Sequence, residues 1–494
     1  MARRPLDTGG PWTVIAPSLG ARNFYDDTRL SAGVAWEYRV RRLQRDIFDQ
    51  GYYALGTALP AQDQRGLVLF VTEDGLAEDI RPELDRFAKD LTGDGWHVLR
   101  LTGPSARGLD AEAELVAAWS LRADLMSQFA AGGAEDTEVA VVLVGDVPLV
   151  KSGWVAPDGH APQATASDLF YGDFDGDWPQ SDSTPGTLQP SCLPGNGIEA
   201  SVGRIDFSDL ATGDRAQEIA YLKNYFDRNH AWRHGQWGDL REAYLGAKGH
   251  LFVEGDGLAN IVGPAAITPG GHHDVGESGR WLFEVDFGDF NGATYLTKYA
   301  AKPVFAINFD SNKQKIDQRN NPMTTMMAAS NQALAVDWGA RPAWRLHAMA
   351  LGRTIGDAQR RTANNQTLTD GLADYMPTGK HRLMAPIWFN LMGDPTLHAF
   401  PVLPAANLKA VPQNHGMTLT WQASPDARLQ GYRLYRAGRD GMYHPIGPDL
   451  IAAEQFTDPA PTPDARYMLR ALAFKEVHAG TLFMLSQGVF SESP

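Results

Sequence analysis

The densest group of potential ligands in the chain is a set of three aspartates at alternate positions. Asp173, Asp175 and Asp177 occur in the string YGDFDGDW, where Gly176 permits a sharp turn. Carboxylates wrapped by a loop in this way suit a hard cation such as Ca²⁺, because close carboxylates repel one another until a cation neutralises them. An Asp-rich turn whose side chains cap backbone N–H groups has the same composition. The sequence therefore predicts either a calcium site or a capped turn at this place.

Candidates for nucleophilic catalysis are few. Cys192 is the single cysteine, and it lies in PSCLPGNG, a Pro- and Gly-rich loop that no strand precedes. His272 and His273 lie in PGGHHDVGE. A structural thiol and a solvated polar turn are the ordinary roles of such residues, and a catalytic or metal-binding role is the alternative. Ser311 could replace a thiol only with a histidine base that a third group orients, and the sequence gives no sign of one.

Composition and missing motifs exclude several classes of function. The 494 residues carry a formal net charge of −15, which disfavours a nucleic-acid backbone or an anionic membrane surface as the partner. No window approaches the ~18 continuous apolar residues of a membrane span, and no apolar run follows the basic first residues as a secretory signal would require. The sequence also lacks a P-loop, a G-x-S-x-G string and an H-E-x-x-H string. We expect no nucleic-acid partner and no membrane span.

The elements that must position these residues alternate between strands and helices. Apolar runs at 67–71 and 139–144 predict buried strands, and residues 80–91 have the spacing of an amphipathic helix. This order implies right-handed crossovers and a parallel sheet with helices on both faces. The pattern resumes after an irregular stretch at 147–210, so we predict an open, mostly parallel sheet of about six strands.

Polar residues follow three of the predicted strands. In an open α/β sheet, ligands bind beyond the carboxyl ends of the strands. We therefore expect Asp146, Gly288, Asn308 and Ser311 to line a ligand cleft. For Asp146 the alternative is that its carboxylate caps the following turn.

Both ends of the chain have the pattern of β structure. Beyond the prolines at 401, 404 and 412, alternation such as MTLTW (417–421) predicts a β-sandwich. Residues 12–42 echo 443–471 and predict half of a second sandwich, whose open edge must dock on the α/β domain or be completed by another chain. The predicted domains are 1–60, 61–400 (with subdomains 61–210 and 211–400) and 401–494.

Five strings match a known family in order and approximate spacing. These strings are VVLVGDVPLV (141–150), ASDLFYGDFDGDW (166–178), ASVGRIDFSDL (200–210), ALAVDWGARPAW (333–344) and FNLMGDPTLHAF (389–400). They resemble the gingipain-type cysteine peptidases over residues 140–400, and 402–494 resembles a fibronectin type III module. The resemblance implies a caspase–haemoglobinase fold, a cleft beside 166–178 where some members bind calcium, a structural role for Asp168, and an extracellular or surface location.

The resemblance also implies a Cys–His dyad at the ends of two adjacent strands, and this sequence departs from it at both places. The strand WLFEVDF runs into Gly288-Asp289, with no histidine. The strand PVFAINF runs into Asp310, where a cysteine would stand. A carboxylate in that position has no proton to lose to a base and forms no acyl-thioester.

Two hypotheses about function follow. The favoured one is a non-catalytic binding, scaffold or assembly protein, whose partner is a protein or peptide and whose open β edges support self-assembly. The alternative is an active cysteine endopeptidase with a relocated dyad that uses Cys192 and either His272 or His273.

Overall fold

The computed structural model describes the larger part of the chain. The described residues are 1–7, 10–22, 24–44, 47–132, 137–155, 161–190, 193–194, 197–210, 214–247, 255–271, 279–287, 301–309, 315–329, 333–338, 344–364, 387, 389–413 and 416–491.

Strands outnumber helices within these ranges. The strands are β1 (Ala2–Pro5), β2 (Thr13–Val14), β3 (Ala35–Gln44), β4 (Ile47–Leu59), β5 (Gly66–Glu73), β6 (Trp96–Gly103), β7 (Glu138–Val144), β8 (Lys151–Val155), β9 (Gln163–Ala166), β10 (Ser201–Ile205), β11 (Ala243–Leu245), β12 (Ile267–Pro269), β13 (Gly279–Phe287), β14 (Ala301–Phe309), β15 (Ala335–Trp338), β16 (Leu391–Gly393), β17 (Ala406–Gln413), β18 (Gly416–Gln422), β19 (Leu429–Ala437), β20 (Tyr443–Ile451), β21 (Gln455–Asp458), β22 (Tyr467–Val477), β23 (Gly480–Leu485) and β24 (Val489–Phe490). The helices are α1 (Arg81–Gly93), α2 (Ala111–Gly132), α3 (Arg215–Arg233), α4 (Gly255–Val262), α5 (Pro322–Ala329) and α6 (Ile355–Ala363). None of these helices is long and apolar enough to cross a membrane.

A ten-stranded sheet forms the centre of the α/β part, in the order β12-β11-β13-β14-β15-β16-β10-β7-β5-β6. The predicted mixed α/β architecture is confirmed, but the prediction of about six strands was too low. Parallel pairing holds through β6, β5, β7 and β10 and again through β12, β11, β13, β14 and β15. Strands β12 and β16 escaped the sequence pattern because three residues each carry too little periodicity to detect.

The relative direction of the two halves of this sheet is given by contacts outside the strands. β16 pairs antiparallel with β15 and meets β10 over only two residue pairs in parallel register. Gly393 ends β16 with a φ of +113°, so this bent strand does not by itself orient the halves. Lys151, which follows β7, lies 2.6 Å from Asp317, which follows β14. The N–H of Asn320 also donates to the carbonyl of Asp209, beyond β10. The loops that follow β7, β10 and β14 therefore contact one another.

The β strands at the two ends of the chain form one sheet. The nine-stranded sheet runs β2-β1-β3-β4-β23-β22-β19-β20, with β24 paired to β22. Strand β4 pairs in parallel with β23, so one edge of the N-terminal strands is covered by the C-terminal strands of the same chain. A second sheet, β17-β18-β21, packs on this module through Trp421 and Tyr432, whose rings meet edge to face.

The N-terminal strands also dock on the α/β domain through buried polar contacts. The Asn260 side chain on α4 accepts from the N–H of Ala54 at 2.7 Å and donates to its C=O at 3.0 Å. Glu37 pairs with His347 at 2.8 Å, and both side chains are buried. Burial alone would raise the pKa of Glu37, but the hydrogen bond with His347 and the charge of Arg4 hold that pKa well below its ordinary value. These contacts join the N-terminal strands to the α/β part of the chain.

Candidate functional site

Charged side chains collect where β5, β7 and β10 end. These three strands are parallel neighbours, so the residues that end or follow them lie side by side. The adjoining positions come from the loop after β6 and from the first turn of α3. We call the following six residues the edge cluster: Glu73, Arg107, Asp146, Asp206, Arg215 and Glu218.

Two buried glutamates are bridged by two arginines in this cluster. Arg107 donates from Nε to Glu73 Oε1 at 2.9 Å and from Nη2 to both carboxylate oxygens of Glu218 at 2.8 and 2.7 Å. Arg215 Nη1 lies 3.4 Å from Glu73 Oε2 and 3.2 Å from Glu218 Oε2. Both glutamates are buried and paired, so neither is available as a catalytic base.

The turn after β7 is fixed by Glu73. Gly145 has a φ of +86°, and a Cβ on it would lie 2.5 Å from Glu73 Oε2. The same carboxylate oxygen accepts from the N–H of Asp146 at 3.0 Å. Glycine is therefore required at this turn, and the turn directs Asp146 toward the edge.

Asp146 is the member of the cluster with the most altered acidity. Its side chain is 25 % exposed, and its nearest cation, Arg107 Nε, lies 3.9 Å away. Burial and the negative charge of Asp206 raise the pKa of Asp146 to about 7. Burial and the charges of Asp206 and Asp317 likewise raise the pKa of Asp209 to about 6. The edge thus presents two carboxyl groups that exchange protons near neutral pH, which suits hydrogen bonding to a ligand or general acid–base chemistry.

Asn308, one of the predicted cleft residues, makes internal contacts between β13, β14 and α5. Its side chain is buried, accepts from the N–H of Asp286 at 3.0 Å and contacts the sulfur of Met326 at 3.6 Å. The amide therefore ties β13 to β14 and to α5. The other predicted cleft residues, Gly288 and Ser311, lie outside the described residues.

The two strands that precede the dyad positions are neighbours, as the resemblance implies. β13 and β14 pair in parallel, with Asp286 opposite Asn308 and Phe287 opposite Phe309. The residues that follow them, Asp289 and Asp310, lie outside the described residues. The alternative catalytic residues Cys192, His272 and His273 do as well.

The Asp-rich loop brings together a set of carboxylates that differs from the predicted one. Carboxylate oxygens of Asp173, Asp175 and Glu199 lie within 4.8 Å of one another, and Asp177 is not part of that group. Glu199 was missed because it lies beyond the Pro/Gly-rich stretch, where no fixed ligand spacing marks it. Asp173 accepts from the N–H of Gly176 at 2.6 Å, as a capping residue does.

The same loop already has a buried guanidinium beside it. Arg122 donates to the carbonyl of Asp173 at 2.9 and 2.6 Å and to that of Gly176 at 2.9 Å. Burial raises the pKa of Asp173 and of Glu199, and the charge of Asp175 acts in the same direction on both. A bound cation would relieve this repulsion, while Arg122 relieves part of it without one.

Asp168 is a structural residue in this geometry. Its two oxygens accept from Arg204 Nε and Nη2, each at 2.8 Å, and both residues are buried. Arg204 also donates to the carbonyl of Val147 at 2.7 Å. The pair therefore supports the loop that carries Asp146.

Comparisons with known proteins found only weak structural likeness. No family model and no curated protein matches the chain. A crystal structure of dimeric latent PorU from Porphyromonas gingivalis matches with 11% identity over 86% of this chain and 43% of that chain, at a TM-score of 0.29. An Fn3-like protein from Clostridium thermocellum matches with 20% identity over 19% of this chain and 96% of that one, at a TM-score of 0.15. The FN5 domain of Drosophila Lar matches with 19% identity over 18% of this chain and 94% of that one, at a TM-score of 0.14. Scores this low do not establish a shared fold.

Proposed function

We propose that the chain is a non-catalytic binding, scaffold or assembly protein built on a gingipain-like, caspase–haemoglobinase-type α/β domain with a fibronectin type III-like module. One observation carries the proposal: the parallel pairing of β13 and β14 brings two strand ends together, and the sequence continues from them with Gly288-Asp289 and Asp310-Ser311. A cysteine peptidase needs a thiolate and an imidazole at those ends. The sequence places neither residue type there.

The arrangement of the other parts supports a scaffold. The β4–β23 pairing and the buried contact of Asn260 with Ala54 join both ends of the chain to the α/β domain, so any surface on one part is held rigidly against the others. The edge cluster would support a binding surface for a peptide or protein, with Asp146 as its half-buried hydrogen-bonding acid. Rigid presentation reduces the entropy lost when a partner binds.

Self-assembly through β edges would use β6, which is the longest edge strand without a proline in the described sheets. Among the edge strands of the described sheets, β20, β17 and β12 contain prolines, which remove a backbone donor and oppose strand addition. Strands β2 and β21 are short. β6 has eight residues without a proline, which is long enough to accept a neighbouring strand.

The experiment that tests the proposal is a cleavage assay with the purified chain and a panel of fluorogenic peptides. We expect the same background rate for the wild type and for Cys192→Ser. Light scattering across a range of concentrations gives the assembly state in parallel. Cleavage by the wild type that is absent from Cys192→Ser would overturn the proposal and establish the relocated-dyad endopeptidase. A further loss in His272→Gln or His273→Gln would then identify its base.

A further inference from the structure

Two histidines and an aspartate meet where α1 and α3 pack together. His230 and His234 occur in the string HAWRH, and a spacing of four places both on one face of a helix. Asp90 lies in the last turn of α1, and α1 packs against α3. These residues lie far from the edge cluster, because α3 begins at that edge and the histidines are at its other end.

The three side chains direct their polar atoms at one point. His230 Nδ1 lies 2.8 Å from Asp90 Oδ2, and His234 Nε2 lies 3.2 Å from Asp90 Oδ1. One ligand atom from each residue lies within 4.8 Å of the other two. Ligands of a tetrahedral zinc ion, at about 2.0–2.1 Å from the metal, are about 3.3 Å apart. Small side-chain rotations would therefore convert the hydrogen-bonded group into a coordination shell.

The electrostatic surroundings favour a cation. Both α1 and α3 end here, and the carboxyl end of a helix carries the negative end of its dipole. Arg233, whose charge interacts with that of Asp90, is already paired with two other buried carboxylates, Asp94 and Asp394. The immediate surroundings of Asp90 thus retain excess negative charge.

We propose that Asp90, His230 and His234 form a binding site for a divalent transition-metal ion, with Zn²⁺ the best fit, that fastens α1 to α3. Two imidazoles and one carboxylate are a ligand set that zinc accepts and that calcium, which prefers oxygen, does not. The side chains of His230 and His234 are 29% and 20% exposed, so a metal ion can enter and a water molecule can fill the fourth position. One histidine hydrogen-bonded to Asp90 would be enough to link α3 to α1. Two histidines that share one carboxylate match the ligand arrangement of a metal site.

The test is a zinc titration of the full chain in a Cys192→Ser background, which removes the only thiol. After chelator treatment and buffer exchange, ZnCl₂ is added in competition with a fluorescent zinc indicator at pH 7.5. We expect one site with a Kd of about 1 µM or tighter, weakened by at least about tenfold in His234→Gln. CoCl₂ should give the visible absorption of tetrahedral cobalt in the background protein and not in His234→Gln.

A matched control is available in the C-terminal module. His444 and Asp440 form an exposed pair at 2.8 Å that has the same two residue types but no second histidine, so His444→Gln should leave zinc affinity unchanged. Circular dichroism checks that each variant is folded. If His234→Gln does not fold, Asp90→Asn replaces it in the titration. Equal zinc affinity in the background protein and in a folded His234→Gln or Asp90→Asn variant, or no zinc binding in the background protein, overturns the proposal.

Discussion

Replacing Asp146 with asparagine should stabilise the protein at alkaline pH and leave it nearly unchanged at acid pH. Burial and the charge of Asp206 raise the pKa of Asp146 from 3.8 to about 7. As the pH rises from about 4 to about 7, the unfolded chain loses this proton first, so the folded state loses stability through that window. Above about pH 7 the loss is complete, and asparagine, which never ionises, avoids it.

The size of the effect follows from the same displacement of the pKa. A pKa difference of one pH unit corresponds to about 1.4 kcal/mol. The rise of the Asp146 pKa from 3.8 to about 7 therefore limits the destabilisation by its charge to about 4 kcal/mol. Because 25% of the side chain is exposed and solvent screens its charge, we expect a gain of about 1–2 kcal/mol at pH 8. The gain should fall close to zero at pH 4.5.

Urea unfolding followed by tryptophan fluorescence at pH 4.5, 6 and 8 measures this difference. Asp124→Asn is the matched control, because it removes the same charge from an exposed position on α2, and it should change stability by less than about 0.5 kcal/mol at every pH. A gain for Asp146→Asn that does not depend on pH, or a loss at pH 8, would refute the electrostatic account of the edge cluster.

Three further variants test other contacts. Asn260→Ala should lower the free energy of unfolding by about 2–4 kcal/mol, because one β4 residue would keep a buried N–H and C=O without partners. Gln64→Ala, which loses one exposed hydrogen bond, is its control in the same urea assay. If the Asp-rich loop binds calcium, Ca²⁺ at about 100 times its Kd should raise the free energy of unfolding of the wild type by about 3 kcal/mol and leave that of Asp175→Ala unchanged. A wild-type melting temperature that calcium does not change would show that the loop is only a capped turn. Gly145→Ala should lower the free energy of unfolding by about 1–3 kcal/mol more than Gly108→Ala does, since both glycines have a positive φ but only a Cβ at position 145 would meet a neighbouring carboxylate. Equal losses of stability in the two variants would contradict the steric argument.

Regular, buried elements were predictable from the sequence because periodicity reports burial directly. The spacing of Ile80, Leu84, Phe87 and Leu91 predicted one face of a helix, and all four side chains are buried. The alternation of Met417, Leu419 and Trp421 likewise predicted one face of a strand, and all three side chains of β18 are buried. Irregular elements are not predictable in this way: the sequence of 343–361 predicts one helix, whereas the structure has a 3-10 turn at His347–Leu351 and α6 from Ile355, separated by Gly352 with a φ of +82°.

The candidate sites were less predictable, because charge does not reveal burial. Glu73, Arg107 and Glu218 are residue types that usually lie on the surface, and only the fold brings the two glutamates into buried positions on either side of one arginine. Asp90 is 140 residues from His230 along the chain, so no local spacing could connect them. The HAWRH string was the one available signal, and its i, i+4 spacing becomes informative only when a third ligand is known.

The two sites lie at opposite ends of α3, and the dipole of that helix explains the residue types at each end. Its first turn carries Glu218, a carboxylate beside the positive end, and Asp214 caps it by accepting from the N–H of Ala216 at 2.9 Å. Its last turn carries His230, with His234 directly after it, ligands suited to a cation at the negative end. Glu218 and His230 are twelve positions apart, about 18 Å along the helix, which is too far for direct coupling of charges in salt. The edge cluster and the proposed metal site therefore act on one rigid helix as independent anchors, each fixing the end that its own charge favours.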